Sequence, residues 1–341
     1  MTDKGKKSVK KAKATKGKID YKDWLKKKGS GVFLNIIRYA LILCIGYIIL
    51  LPILEMISTA FMSPEEVGSP VSEWIPSEFS LEHIIVAFKL LRYPEAVVYT
   101  LWTTALQVVL QVLSAAITGY VFARVRSKKI QAMFIIVILT IIVPQSVILL
   151  PQYIFFRNFD ILGIFELLTG SSMNLLGKPI VLYILDFCGM GLKAGLYIYI
   201  FRQFFRGLPY SLEEAAYVDG SGFIRTLFTI ALPNAMPGII TVTVLSFVWN
   251  WNDTFYTNRF VGTDMNLMVR LNKVSAAMDN MLQAIGGQIP DGYYFDYTDP
   301  LYQASVLSTA SLLVILPLIV LYSFIQKRFV ESASSSGLGG T

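Results

Sequence analysis

The residue types with the most chemistry in this chain fall in two runs. The first reads Leu212-Glu213-Glu214-Ala215-Ala216-Tyr217-Val218-Asp219-Gly220 and continues to Ile230-Ala231-Leu232-Pro233, between two long apolar segments. Leu208-Pro209-Tyr210-Ser211 supplies a breaker and an N-cap, and Glu213 and Glu214 place negative charge where a helix dipole favours it. Ala215-Ala216 keeps one side of the helix slim, and Gly220-Ser221-Gly222 permits a sharp reversal that a Cβ would resist. Phe223, Thr226, Leu227 and Ile230 follow at helical spacing, an apolar stripe on a second helix. A rigid helix, a turn and a second helix suit the transmission of force to a docked partner. The candidate docking residues are Glu213, Glu214, Ala215, Ala216, Asp219 and Gly220. A plain amphipathic helix pair at a membrane interface would account for the stripe and the caps, but not for the full spacing.

The second run is Trp249-Asn250-Trp251-Asn252-Asp253. Aromatic faces beside amides and a carboxylate are what a sugar needs, because a sugar offers apolar ring faces and edge hydroxyls. Successive residues cover every side of a helix, so only some of the five can face a pore, and aromatic anchoring at the interface remains open for the tryptophans. Charges inside apolar segments are expensive and face water or a bundle interior. Asp186 and Lys193, spaced for one helix face, either hold helices together or line a solute cavity. Gly189, Gly191 and Gly195 allow close helix approach or local unwinding there. Gln145 and Gln152, each next to a proline, form either a further polar stripe or part of a kinked packing helix.

No catalytic constellation accompanies these runs. His83 is the only histidine and has no nucleophile or ligand cluster near it, which predicts an ordinary surface residue. Cys44 and Cys188 fall in apolar segments and read as small buried hydrophobes, so no disulfide or metal site is implied. A Walker-type Gly-rich loop ending in Lys-Ser or Lys-Thr is absent. No cofactor is expected, and ATP hydrolysis, if the function uses it, belongs to a partner.

The elements that position these residues are membrane helices. With 54% hydrophobic and 16% charged residues the chain is too apolar for a soluble domain. The net charge of +7 is no nucleic-acid signature, since twelve lysines crowd between Lys4 and Lys28 as a tail. The first apolar run is longer than the core of a signal peptide and lacks its small-residue cleavage site. Six windows are long enough to span a bilayer: 33–61, 95–123, 130–154, 179–203, 234–256 and 303–326. The lysine tail, Arg124, Arg126, Lys128, Lys129, Arg202, Arg206, Arg225, Lys327 and Arg328 all fall on one side, which the positive-inside rule makes the cytosol. Both termini and the docking run are then cytosolic. On the other side, the segment at 62–93 predicts an irregular stretch and a short helix capped by Ser80. The segment at 257–302 carries turn signals at Gly286-Gly287 and Pro290-Asp291-Gly292 before Tyr293-Tyr294-Phe295. The expected organisation is a disordered basic cytosolic tail at 1–30, a membrane domain at 31–327 with the docking loop at 204–235, and a cytosolic tail at 328–341.

The docking run resembles the "EAA" loop of membrane subunits of binding-protein-dependent ABC importers. Phe201-Arg-Gln-Phe-Phe-Arg-Gly-Leu-Pro209, Phe247-Val-Trp-Asn-Trp-Asn-Asp-Thr-Phe255, Gly119-Tyr-Val-Phe-Ala-Arg124 and the stretch from Pro144 to Pro151 extend the likeness to carbohydrate permeases of the maltose-permease type. The resemblance covers residues 33–337. It implies an all-α type I importer fold with six transmembrane helices in a bacterial cytoplasmic membrane. It also implies a second, different permease subunit, two ATP-binding subunits, an extracytoplasmic sugar-binding protein and a sugar as solute. Two departures stand out: Tyr99-Thr100 where the family often has Asn before Ser or Thr, and a C-terminal tail that only loosely matches. Importers of other solutes share the loop. A membrane-embedded transferase would need clustered Asp or His on the cytosolic side, and a secondary carrier would show an internal repeat; neither is present.

Overall fold

The computed structural model describes residues 21–67, 75–160, 163–262, 265–284 and 299–337. Among them every regular element is helical, and the only β contacts are the isolated bridges Met62 to Phe79 and Phe159 to Met173. In chain order the helices are α1 (Tyr21–Phe61), α2 (Glu82–Leu91), α3 (Tyr93–Arg124), α4 (Lys128–Ile142), α5 (Gln145–Arg157), α6 (Ile164–Thr169), α7 (Ile180–Phe187) and α8 (Ala194–Gly207). Then come α9 (Ser211–Val218), α10 (Phe223–Thr226), a π-helical turn at Leu227–Ala231, α11 (Leu232–Asn234) and α12 (Met236–Trp251). A second π-helical turn at Thr257–Val261 precedes α13 (Leu267–Leu271), α14 (Val274–Ala284) and α15 (Pro300–Gly337).

The chain forms two units, one up to Glu55 and one from Met56 onward. The first is most of α1, apolar on every face from Leu34. The second is organised by α3, which packs along α7, α8 and α12. The buried face of α3 carries Thr100, Thr104, Gln107, Gln111, Ala115 and Gly119, small or polar residues at three- and four-residue spacing that let neighbouring backbones come close. At Gly119 the approach is tightest: a Cβ there would stand 2.7 Å from Cβ of Phe201 on α8. One core gathers Val86, Leu91, Trp251, Tyr302 and Val306. A second gathers Tyr120, Tyr197, Phe201, Phe205 and Leu227, and a third Phe156, Leu182, Leu185, Tyr256 and Phe260.

The helices depart from the hydropathy reading at the breaks. Among the described residues three stretches are long and apolar enough to cross a membrane singly: Leu34–Phe61, Tyr93–Arg124 and Pro300–Lys327. Two bent pairs raise the number to five: α4 with α5 at 105°, and Phe223–Asn234 with α12 at 82°. The window at 130–154 is interrupted because Pro144 lacks the N–H that would continue α4. The window at 179–203 stops at Phe187 and restarts at Ala194, with Gly189 and Lys193 both in the left-handed region, φ +68° and +60°.

Smaller expectations divide. The short helix α2 follows the irregular stretch as predicted, but Leu81 and not Ser80 stands at its N-cap and no side chain caps it; the Ser80 hydroxyl accepts only from the Glu82 amide, at 3.2 Å. His83, expected at the surface, is fully buried on the same face as Val86, Ala87 and Leu91, 5.2 Å from the Tyr302 ring, and neither ring nitrogen has a hydrogen-bond partner. Burial holds its pKa below the usual imidazole range. Cys44 and Cys188, expected inside, are free and exposed on the chain's surface, since an apolar segment also has an outward face. The 257–302 segment folds into α13, capped by Asn266, and α14, and its Leu267 amide donates to Thr100 Oγ1 at 2.8 Å. Backbone helix begins at Tyr21, inside the expected tail, and α15 runs on to Gly337. Residues 1–20, the turns at 286–292, Tyr293-Tyr294-Phe295 and the last residues of the C-terminal tail lie outside the described residues.

Candidate functional site

The docking run is a helix, a turn and a second helix. Tyr210, with helical dihedrals, stands at the N-cap of α9, and no side chain caps it, so Ser211 is not the cap it was expected to be. At the other end the Gly220 amide donates to Tyr217 O at 3.0 Å and the Ser221 amide to Ala216 O at 2.9 Å, with Gly220 at φ +83°. This is a Schellman closure, and its left-handed position is why glycine stands there.

The six candidate docking residues separate by direction. Glu213 points inward, 1% exposed, and forms an ion pair with Arg124 of α3 at 2.6 Å. Arg124 Nε donates to Glu213 Oε1 at 2.7 Å and Tyr120 Oη to Oε2 at 3.0 Å. Arg124 also donates to Leu208 O at 3.3 Å and lies 5.7 Å from the Tyr210 ring centre. Ala216 is buried as well, and Thr226, Leu227 and Ala231 complete the inner side. Glu214, Ala215, Asp219 and Gly220 are exposed, beside Leu212 and Val218. The helix therefore has a face that anchors it to α3 and a face left free.

The second candidate region is the break between α7 and α8. A cavity of ≈510 Å³ opens there, bounded by the α4–α5 bend, the 189–196 segment and α12. Its polar lining is Thr140, Gln145, Gln152, Lys193, Trp249 and Tyr256. Lys193 Nζ lies 4.5 Å from the Trp249 ring centre, a cation–π contact. Gln152 is buried, and its Oε1 has no hydrogen-bond partner. Lys193 occupies a left-handed position that costs a side chain roughly 1–2 kcal/mol relative to a right-handed one.

The remaining solute-path candidates do not line this cavity. Gln111 Nε2 donates to Asp186 Oδ1 at 2.6 Å, and Gln111 Oε1 accepts from Ser246 Oγ at 2.5 Å and from Asn250 Nδ2 at 2.9 Å. Asp186 and Asn250 thus join α3, α7 and α12 and do not line the open cavity. Asp253 accepts from the Tyr256 and Thr257 amides and the Thr257 hydroxyl, holding the chain's turn after α12. Trp251 is fully buried in the first core and donates to Val314 O at 3.3 Å. Asn252 is exposed and bonds its own helix at Val248 O. Asp186 and Lys193 do not share a helix face, because the helix is interrupted between them.

Sequence reasoning missed Gln107, Gln111 and Ser246. They carry no charge, and the only signal was a pair of glutamines one turn apart in an otherwise apolar helix. Among the described residues no group of His, Cys, Asp or Glu could hold a metal ion.

The chain is 25% identical to a probable ABC transporter permease of Pyrococcus horikoshii over 84% of this chain and 91% of that one. It is 24% identical to the melibiose/raffinose/stachyose import permease MelC of Bacillus subtilis, over 80% and 86%. Its fold is similar to that of a chain in the crystal structure of a bacterial ABC transporter involved in the import of the acidic polysaccharide alginate, with a TM-score of 0.66, 20% identity and coverage of 88% of this chain and 98% of that one. Residues 112–334 match the model for the inner membrane component of binding-protein-dependent transport systems, and the chain belongs to that family, a multi-pass membrane transport subunit with no catalytic role.

Proposed function

We propose that this protein is the transmembrane subunit of an ATP-driven importer for a carbohydrate, an oligosaccharide in its simplest reading.

 The solute path runs beside the α7–α8 break, and the α9–α10 loop couples the chain to ATPase subunits. The observation that carries this reading is the two-faced loop: Glu213 anchors it to α3 and Ala216 is buried on the same side, while Glu214, Ala215, Asp219 and Gly220 remain exposed. A lever of this kind passes motion from a soluble motor to the membrane helices. The docking surface then consists of the four exposed residues, and Glu213 and Ala216 serve as its mount. Carbohydrate is the solute class that MelC and the alginate transporter share by name, one for neutral saccharides and one for an acidic polysaccharide.

The same reading gives six spans, with α4–α5 and α7–α8 each crossing as a broken helix, and cytosolic termini, from the Lys and Arg asymmetry. It keeps the basic tail at 1–30, the membrane domain at 31–327 and the tail at 328–341. The partners are a second permease, two ATP-binding subunits and an extracytoplasmic sugar-binding protein. The test is affinity purification of the tagged chain from its native membrane, followed by reconstitution into proteoliposomes. Recovery of an ATPase and a second permease, with ATP-dependent uptake of an oligosaccharide, is the expected result. A chain that purifies without an ATPase would overturn the proposal.

A further inference from the structure

We infer that the solute carries a carboxylate, as a uronate-containing oligosaccharide does, and that Lys193 is the group that recognises it. This deepens the carbohydrate reading of the cavity and rests on it. The cavity lining includes one cation and no Asp or Glu. Lys193 makes no ion pair: the one found among the described residues joins Arg124 and Glu213. Neither Asp186 nor Asp253 lines the cavity: Asp186 Oδ1 accepts from Gln111 while its Oδ2 is buried without a partner, and both Asp253 oxygens face residues 256 and 257. The ammonium rests instead over Trp249, 4.5 Å from the ring centre.

An ammonium in a half-buried, otherwise neutral cavity loses hydration as a solute fills the space around it. A neutral sugar offers hydroxyl dipoles in return. A carboxylate offers full charge and two acceptor oxygens, and drawing the ammonium onto it would free the Trp249 face for a sugar ring. Gln152 supplies the complementary half, because its buried, unpartnered Oε1 lines the same cavity and accepts from a hydroxyl. The backbone points the same way. Position 193 is left-handed, where glycine would be unstrained, yet it carries a long cationic side chain.

The test uses the complete importer with its own binding protein in proteoliposomes. The probes are galacturonate, glucuronate and mannuronate trisaccharides, against size-matched neutral maltotriose and raffinose. Uptake of at least one uronate probe and little of the neutral ones is expected. Lys193→Gln should lower uptake of that probe roughly ten- to hundredfold at subsaturating concentration, the scale of a lost charge-assisted hydrogen bond. Lys193→Gly should do the same while relieving the backbone, and its complex should assemble with the ATPase and the second permease as the wild type does. Uptake of neutral probes alone, or uronate uptake unchanged in both variants, overturns the inference and leaves the importer standing. If no saccharide of either kind enters, the carbohydrate reading falls with it.

Discussion

Glu213→Ala distinguishes anchoring from docking. The carboxylate is 1% exposed and receives Arg124 at 2.6 and 2.7 Å and Tyr120 at 3.0 Å. Removing one partner of a buried pair costs about 3–5 kcal/mol, because the other charge stays behind without water. The Arg124 side chain is only 9% exposed but keeps Leu208 O at 3.3 Å, which puts the expected loss at the lower end, about 3 kcal/mol. That is a shift of roughly a hundredfold in the equilibrium between docked and released loop. Thermal unfolding of the purified complex and amide exchange across residues 208–231 would read it. Arg124→Ala should produce a similar loss, and the double variant less than the sum, since neither charge is then stranded. Glu214→Lys, one residue on and exposed, should leave stability within about 0.5 kcal/mol while uncoupling ATP hydrolysis from uptake. Wild-type stability in Glu213→Ala, or equal destabilisation by Glu214→Lys, would refute the assignment of the two faces.

Gly220→Val places a β-branched residue at φ +83° and should abolish uptake by deforming the loop while membrane insertion persists; Gly220→Asn, which tolerates that region better, should retain more activity in the same uptake assay. Trp251→Ala should cost about 3–5 kcal/mol in thermal stability, as truncation of a buried aromatic does, with no preference among solutes. Trp249→Ala should instead alter solute affinity in uptake measurements with little change in melting temperature. For His83 the folded pKa lies below the ordinary 6.5, so the unfolded chain binds protons first and stability falls as pH drops through 6.5. Melting curves from pH 7.5 to 5 should show this acid loss, and His83→Leu should reduce it.

The turn at Gly220 was legible because a left-handed position admits few residues, so the type itself reports the backbone. The direction of Glu213 was not. Two adjacent glutamates in a first turn satisfy the helix dipole equally, and only the arrival of Arg124 and Tyr120 from α3 decides which one turns inward. The polar run after Phe247 announced a special place without saying which residue does what: its members point to different sides, and only Trp249 meets the cavity. Asp186 and Lys193 misled for a related reason. Their spacing implies one face only if the helix is continuous, and the glycines that permit an interruption do not by themselves require one. His83 shows the limit from the other side, since a lone polar residue on a short helix cannot announce that its face will be covered by Tyr302.

The Gln111 network also bears on how the chain is made. Residues leave the ribosome in order, so α3 with Gln107 and Gln111 is synthesised before α7 with Asp186, and α12 with Ser246 and Asn250 comes last. A lone aspartate entering hydrocarbon costs about 2.5–3.5 kcal/mol even on the lenient insertion scale. Here its amide donor already precedes it, and the later hydroxyl and amide only close the cluster. Loss of Gln111 would then be felt during biogenesis, as a nascent chain that hesitates at its fourth apolar segment and is cleared by quality control before any transport could be measured.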